Sequence, residues 1–154
     1  MFGVDVRDTV VNFSGVHRHV HSIIAAVTPA SSAERFTGLG VRVIHAQAKF
    51  KDRNTVVAGD IEIRARRFVI ATGSKPALPA ISGLDSGPYL TNENIFDLTE
   101  RPEHLIIIGA GSTGLELAQG FRRLGSSVTV LEVAQPLGKD DPECANVVLA
   151  QLER

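Results

Sequence analysis

The chain has 154 residues, 44% apolar and 21% charged, the make-up of an ordinary globular protein with material for one domain or two small ones. With 16 basic and 17 acidic side chains, its net charge of −1 provides no chain-wide field to draw in nucleic acid or an anionic membrane, and neither is expected as a partner. A single cysteine, Cys144, excludes an intrachain disulfide, the apolar runs are too short to cross a bilayer, and "MFGVDVRDTVVNF" lacks the pattern of a secretory leader, so a cytoplasmic protein is expected.

"GVHRHVHSIIAAVTPA" predicts a helix from Gly15 to Val27 that Pro29 ends. "ASSAERFTGLG" predicts a short second helix closed at Gly38 or Gly40. From Val41, "VRVIHAQAKF" alternates as a strand does, and "NTVVAGDIEIRA" places a turn at Gly59-Asp60 between two short strands. "RRFVIATG" reads as a further, buried strand, apolar from Phe68 to Ala71. Three prolines between Ser74 and Pro88, with Gly73, Gly83 and Gly87, mark a linker. "TNENIFDL" predicts a short helix capped by Thr91 or Asn92. "DDPECANVVLAQLER" closes the chain as an amphipathic helix.

The segment "HLIIIGAGSTGLELAQGFRRLGSSVTVLE" carries the chemistry. Leu105 to Ile108 form a continuous apolar run, as in a strand covered on both faces. Gly109, Gly111 and Gly114 follow as G-x-G-x-x-G, the first for a tight turn, the second for close approach to a pyrophosphate, the third for close helix–strand packing. The following helix, Ser112 to Leu124, aims its free N–H groups and positive dipole end at that anion, so Ser112 and Thr113 join the candidate site. Leu115, Ala118 and Phe121 supply its buried stripe, and Gly125 caps it. Glu132 ends the second strand, 18 residues beyond Gly114, where a carboxylate accepts hydrogen bonds from an adenosine ribose. It would repel a 2′-phosphate, and no Arg or Lys occurs from Val133 to Gly138, so NAD is favoured over NADP.

Together, "FVIATGSKPALPAISG" and the glycine segment resemble the pyridine nucleotide–disulfide oxidoreductases, in particular the mercuric reductase and dihydrolipoamide dehydrogenase branch. The resemblance covers most of the chain. It implies an FAD domain interrupted by an NAD domain, with Ala71, Thr72 and Gly73 along the flavin. It also implies that Glu116 is directed toward the nicotinamide and flavin; its alternative is an acid that complements the dipole in the first turn. The family often has an aromatic residue where Ser112 stands, and Ser112 cannot shield a flavin in that way. Such enzymes also carry an N-terminal FAD glycine motif, a redox cysteine pair and a C-terminal dimerisation domain, none of which is found here. The expectation is therefore an α/β chain from the middle of a longer flavoenzyme. Residues 1–88 form a partial FAD-domain segment with an antiparallel β-meander, and residues 89–154 the N-terminal half of a Rossmann-type NAD-binding domain with a partial parallel sheet. FAD belongs to the intact parent and is not expected to stay with this chain. The alternative is a stand-alone nucleotide-binding or interaction module without redox turnover.

Other features carry less. His17 and His21 share a helix face, and with no third ligand a solvated face is expected rather than a metal site. Cys144 stands near a helix start and reads as an unreactive thiol. Arg64, Arg66 and Arg67 read as a wet strand edge. Tyr89 has Glu93 four residues on, which excludes a Tyr-x-x-x-Lys pair, and no residue is assigned a catalytic role. A two-stranded sheet leaves its edges open, so self-association through them is expected.

Overall fold

The structure is a computed structural model and describes residues 9–153. The leaderless reading of the residues before Thr9 lies outside them. The element order is α1 (Phe13–Val27), a 3-10 turn (Thr28–Ser31), α2 (Ala33–Gly38), β1 (Ala48–Asp52), β2 (Thr55–Ala58), β3 (Ile61–Arg64), 3-10 turns at Leu84–Ser86 and Ile95–Asp97, β4 (His104–Ile108), α3 (Ser112–Arg123), β5 (Ser127–Leu131) and α4 (Pro142–Leu152). The fold is α/β, with an antiparallel sheet in the order β1-β2-β3 and a parallel pair β4-β5. Two compact units divide it: Ser22–Leu84, and the segment ending at His21 together with everything from Asp85 onward. The division falls inside α1 and inside the proline-rich linker.

In the unit Ser22–Leu84, Ser32 Oγ accepts the Arg35 N–H at 3.2 Å and opens α2. Gly59, at φ 61°, makes the predicted turn between β2 and β3, and Val56 and Ala58 are buried. Two sequence expectations give way here. The strand predicted from Val41 begins only at Ala48, which pairs with Ala58. The chain turns at Gly59 directly after Ala58, so β2 extends no backbone partner to residues 41–47. The run Phe68–Ala71 is no strand at all. Phe68 packs edge-on against Phe50 at 5.1 Å, but Val69 and Ile70 are 92% and 73% exposed, and neither sheet pairs with them. An apolar run expresses a demand for neighbours, and among the described residues none pairs with it.

In the other unit, β4 and β5 pair in parallel from His104↔Ser127 to Ile108↔Leu131. Ser126, fully buried, ties the two strand entries together. Its Oγ donates to the Pro102 carbonyl at 2.7 Å and its N–H to the Phe121 carbonyl at 3.0 Å. Leu115, Ala118 and Phe121 are buried as predicted, and Gly125 leaves the helix at φ 98°. Leu105, Ile107, Val128 and Val130 share one half-buried face. The opposite face, with Ile106, Ile108 and Leu131, is open, so the expectation that β4 is covered on both sides is corrected: α3 covers one side only. A second cluster joins Ala110, Leu115, Leu137 and Ala145, with Leu149 and Leu152 of α4 against it.

Local caps refine the remaining bounds. Asn12 Oδ1 accepts the Gly15 N–H at 3.1 Å, so α1 starts at Phe13 rather than Gly15, and the Phe13 ring lies 6.2 Å from that of Phe121. Thr91 Oγ1 accepts the Glu93 N–H at 3.2 Å, but the helix predicted there is only a 3-10 turn.

Two glycines of α3 separate packing from propensity. A Cβ on Gly114 would overlap the Gly109 carbonyl oxygen, whereas one on Gly120 meets nothing within 4 Å. Gly120→Ala is expected to raise stability by about 0.5–1 kcal/mol, the helix-propensity gain. Gly114→Ala is expected to lower it despite the same gain. Urea midpoints of the two variants check this, and equal increases would show that α3 does not lie against the end of β4.

Candidate functional site

The site grows from the corner where β4 runs into α3. Gly109 continues the strand ladder, its N–H donating to the Leu131 carbonyl at 2.8 Å, and then turns at φ 109°, where a side chain would be strained. Gly114 lets the first turn of α3 lie against the Gly109 carbonyl. Those two glycines therefore have reasons inside the chain. Gly111 has none: its φ is −78°, and nothing stands within 4 Å of the place a Cβ would occupy. It is the N-cap of α3 and has no side chain to cap the helix, so the first-turn N–H groups, with exposed Ser112 and Thr113, face open space. An uncapped N-terminus beside a side-chain-free backbone is suited to an anion.

Glu132 stands at the rim of this corner. Its Oε2 accepts the Ala110 N–H at 2.8 Å, and its Oε1 accepts the N–H groups of Val133 at 2.8 Å and Ala134 at 3.0 Å. These donors, Ala110 first, hold its carboxyl below the ordinary carboxylate range. A carboxylate has about four acceptor positions. Three are used within the chain, which leaves about one. The Ala110 carbonyl is held too, by the Leu137 N–H at 2.9 Å. Leu137 is the one non-glycine residue with positive φ among the described residues, at 54°, a backbone state that costs a non-glycine residue about 1 kcal/mol.

The structure thus gathers Gly109, Gly111, Ser112, Thr113, Gly114 and Glu132 at one end of one unit. Glu116 lies a turn further along α3, exposed. It is outside the first turn, which corrects the dipole-complement alternative. With Ser112 it borders a groove of about 240 Å³ between α3 and α4 that also receives Cys144. Ala71, Thr72 and Gly73 belong to the other unit, where Gly73 turns at φ 71°. His17 and His21 do share one face of α1, their ring centroids 4.3 Å apart and the rings tilted by 51°, and His21 Nε2 donates to the Phe96 carbonyl at 3.2 Å. Among the described residues no three His, Cys, Asp or Glu side chains are placed to hold a metal. No described helix is long and apolar enough to cross a membrane. Ala110 and Leu137 were not legible as site residues. A leucine in a left-handed turn has no propensity signal, and Ala110 acts through its backbone alone.

The chain has relatives among known proteins. The family model described as pyridine nucleotide-disulphide oxidoreductase matches residues 8–154. A mercuric reductase of Lysinibacillus sphaericus is 42% identical over 107 residues, covering 69% of this chain and 20% of that protein. One from Streptomyces lividans is 39% identical over 120 residues, covering 72% and 25%. The chain thus spans a quarter or less of the length of these curated relatives. Among solved structures, the HOCl-induced flavoprotein disulfide reductase RclA of Escherichia coli superposes with a TM-score of 0.72 at 27% identity, covering 92% of this chain and 33% of that one. LpdA of Mycobacterium tuberculosis superposes with a TM-score of 0.72 at 26% identity, covering 94% and 34%. Sequence and fold agree over nearly the whole chain, which belongs to the pyridine nucleotide-disulphide oxidoreductases.

Proposed function

We propose that this chain supplies the NAD adenosine and pyrophosphate contacts, and one wall of the flavin site, of an FAD- and NAD-dependent dithiol–disulfide oxidoreductase. The observation that carries the reading is Gly111, a glycine that neither its φ nor any neighbour requires, set on an uncapped helix N-terminus. A ligand backed onto that backbone supplies the missing reason. In this reading the N–H groups of Gly111, Ser112 and Thr113 hold the pyrophosphate, and the free acceptor position of Glu132 takes a ribose hydroxyl. Ala71, Thr72 and Gly73 border the flavin, and Glu116 lies toward the nicotinamide. When bound, the nicotinamide dinucleotide supplies the hydride. The protein's part is to bind and orient its ADP half.

FAD is not retained by this chain in our reading. Ala71–Gly73 offer a few backbone contacts, against roughly 4–15 kcal/mol of rigid-body freedom lost on association. Gel filtration after mixing with FAD, with absorbance in the flavin bands as readout, tests this: co-elution of stoichiometric flavin overturns it. The second reading is a nucleotide-binding or interaction module without redox turnover. It is favoured by a chain holding one cysteine, which cannot exchange a disulfide within itself. The open face at Ile106, Ile108 and Leu131 and the unpaired sheet edges support self-association of the chain. Light scattering across a concentration series tests it: a monomer throughout overturns it.

Calorimetric titration tests the nucleotide assignment. NADH is expected to bind more tightly than NADPH, and Glu132→Ala to narrow the gap, because the carboxylate that repels a 2′-phosphate is gone. Equal or tighter NADPH binding by the unaltered chain refutes it. Acid gives a second readout. The folded-state carboxyl of Glu132 titrates below its unfolded value. Its contribution to stability is therefore fully present above the unfolded value and is lost as pH falls through the folded one. Glu132→Gln should lower the unfolding midpoint at neutral pH and converge on the parent below the ordinary carboxylate range. A gap that persists into that acid range contradicts the three-donor arrangement.

A further inference from the structure

The segment Gly109-Ala110-Gly111 contains two glycines and has the backbone freedom they confer. An anion site binds more tightly when its N–H groups are held in place before the ligand arrives. The middle residue is where this turn is held. Ala110 is 3% exposed, and both of its backbone polar groups are bound to one loop: its N–H to Glu132 Oε2 at 2.8 Å, its carbonyl to the Leu137 N–H at 2.9 Å. The Leu137 amide reaches that carbonyl from a left-handed residue, φ 54°, whose side chain is buried with Leu115 and Ala145. A leucine keeps such a backbone state only where its surroundings over-determine it.

We infer that Leu137 is a positioning residue for the glycine turn: its left-handed backbone, pinned by the buried side chain, presents the amide that fixes Ala110 and so sets the pyrophosphate-facing N–H groups of Gly111 and Ser112. This rests on the dinucleotide reading above and deepens it. The loop after β5 then holds the turn through two bonds of different kinds, a carboxylate that titrates and an amide that does not.

Two substitutions separate backbone from side chain. Leu137→Ile keeps the apolar volume but opposes a positive φ, and Leu137→Gly admits that φ and loses the volume. Amide hydrogen exchange at positions 110 and 137 reports the two bonds. Calorimetry with ADP-ribose and with adenosine separates the pyrophosphate contacts from the ribose contact. In Leu137→Ile, exchange at both positions should quicken about tenfold and ADP-ribose affinity fall about tenfold, with adenosine affinity changed less than about twofold. Leu137→Gly, which frees the backbone and removes the buried side chain that pins it, should also quicken both exchanges and weaken ADP-ribose binding. Unchanged ADP-ribose affinity in Leu137→Ile despite faster exchange at position 137 overturns the inference, as does exchange at position 110 that stays unchanged in both variants. If Leu137→Ile does not fold, Leu137→Ala takes its place in both tests. If the unaltered chain binds neither ligand, the dinucleotide reading falls and exchange alone decides the clamp. Exchange at Ala110 that follows position 137 supports it, and exchange at Ala110 that does not respond overturns it.

Discussion

The contact on which the site depends is the approach of α3 to the end of β4 at Gly114, so close that a single methyl group there would overlap the Gly109 carbonyl oxygen. That approach places the helix N-terminus directly beyond the strand and turns Gly111 outward. It also brings the β5 exit within reach of the same corner, since β5 lies beside β4 in register from end to end. Glu132 and Leu137 then complete the corner from the far side. A larger residue at position 114 would displace all of these together, because each is referred to the same few backbone atoms.

In the proposed role, charge at this corner serves selection as much as binding: the helix end attracts the pyrophosphate, and the carboxylate at the rim opposes a 2′-phosphate. Glu132 is not a free acid awaiting a ligand. Three backbone amides already hold it ionised, which ties its charge to the folded geometry of the turn and of the residues after β5. The same side chain is thus a strut for the loop and, in the proposed role, an acceptor for a ribose.

The sequence made the strand–turn–helix–strand unit legible because each part has its own signal. A β-branched run, glycines at fixed spacing, the Leu115, Ala118 and Phe121 stripe and a terminal acid all agree, and the Gly59-Asp60 hairpin was legible for the same reason. What failed depended on neighbours. Phe68–Ala71 has the composition of a buried strand, and β4 that of a strand covered twice, but composition records what a segment would bury and not what stands beside it. The strand read from Val41 was shortened by the end of its partner at Ala58. Leu137 and Ala110 were hidden for another reason: they meet the turn through backbone groups, the N–H and carbonyl of Ala110 and the N–H of Leu137, which sequence patterns do not signal.

In the proposed role the turn Gly109–Gly114 and the acid Glu132 receive the ADP half of a dinucleotide. Titration of the isotope-labelled chain with ADP-ribose, followed amide by amide by NMR, tests it most directly. Saturable shifts are expected, concentrated at Gly111, Ser112, Thr113 and the amides of Val133 and Ala134. Shifts confined to other residues, with those amides unmoved at saturation, would contradict it.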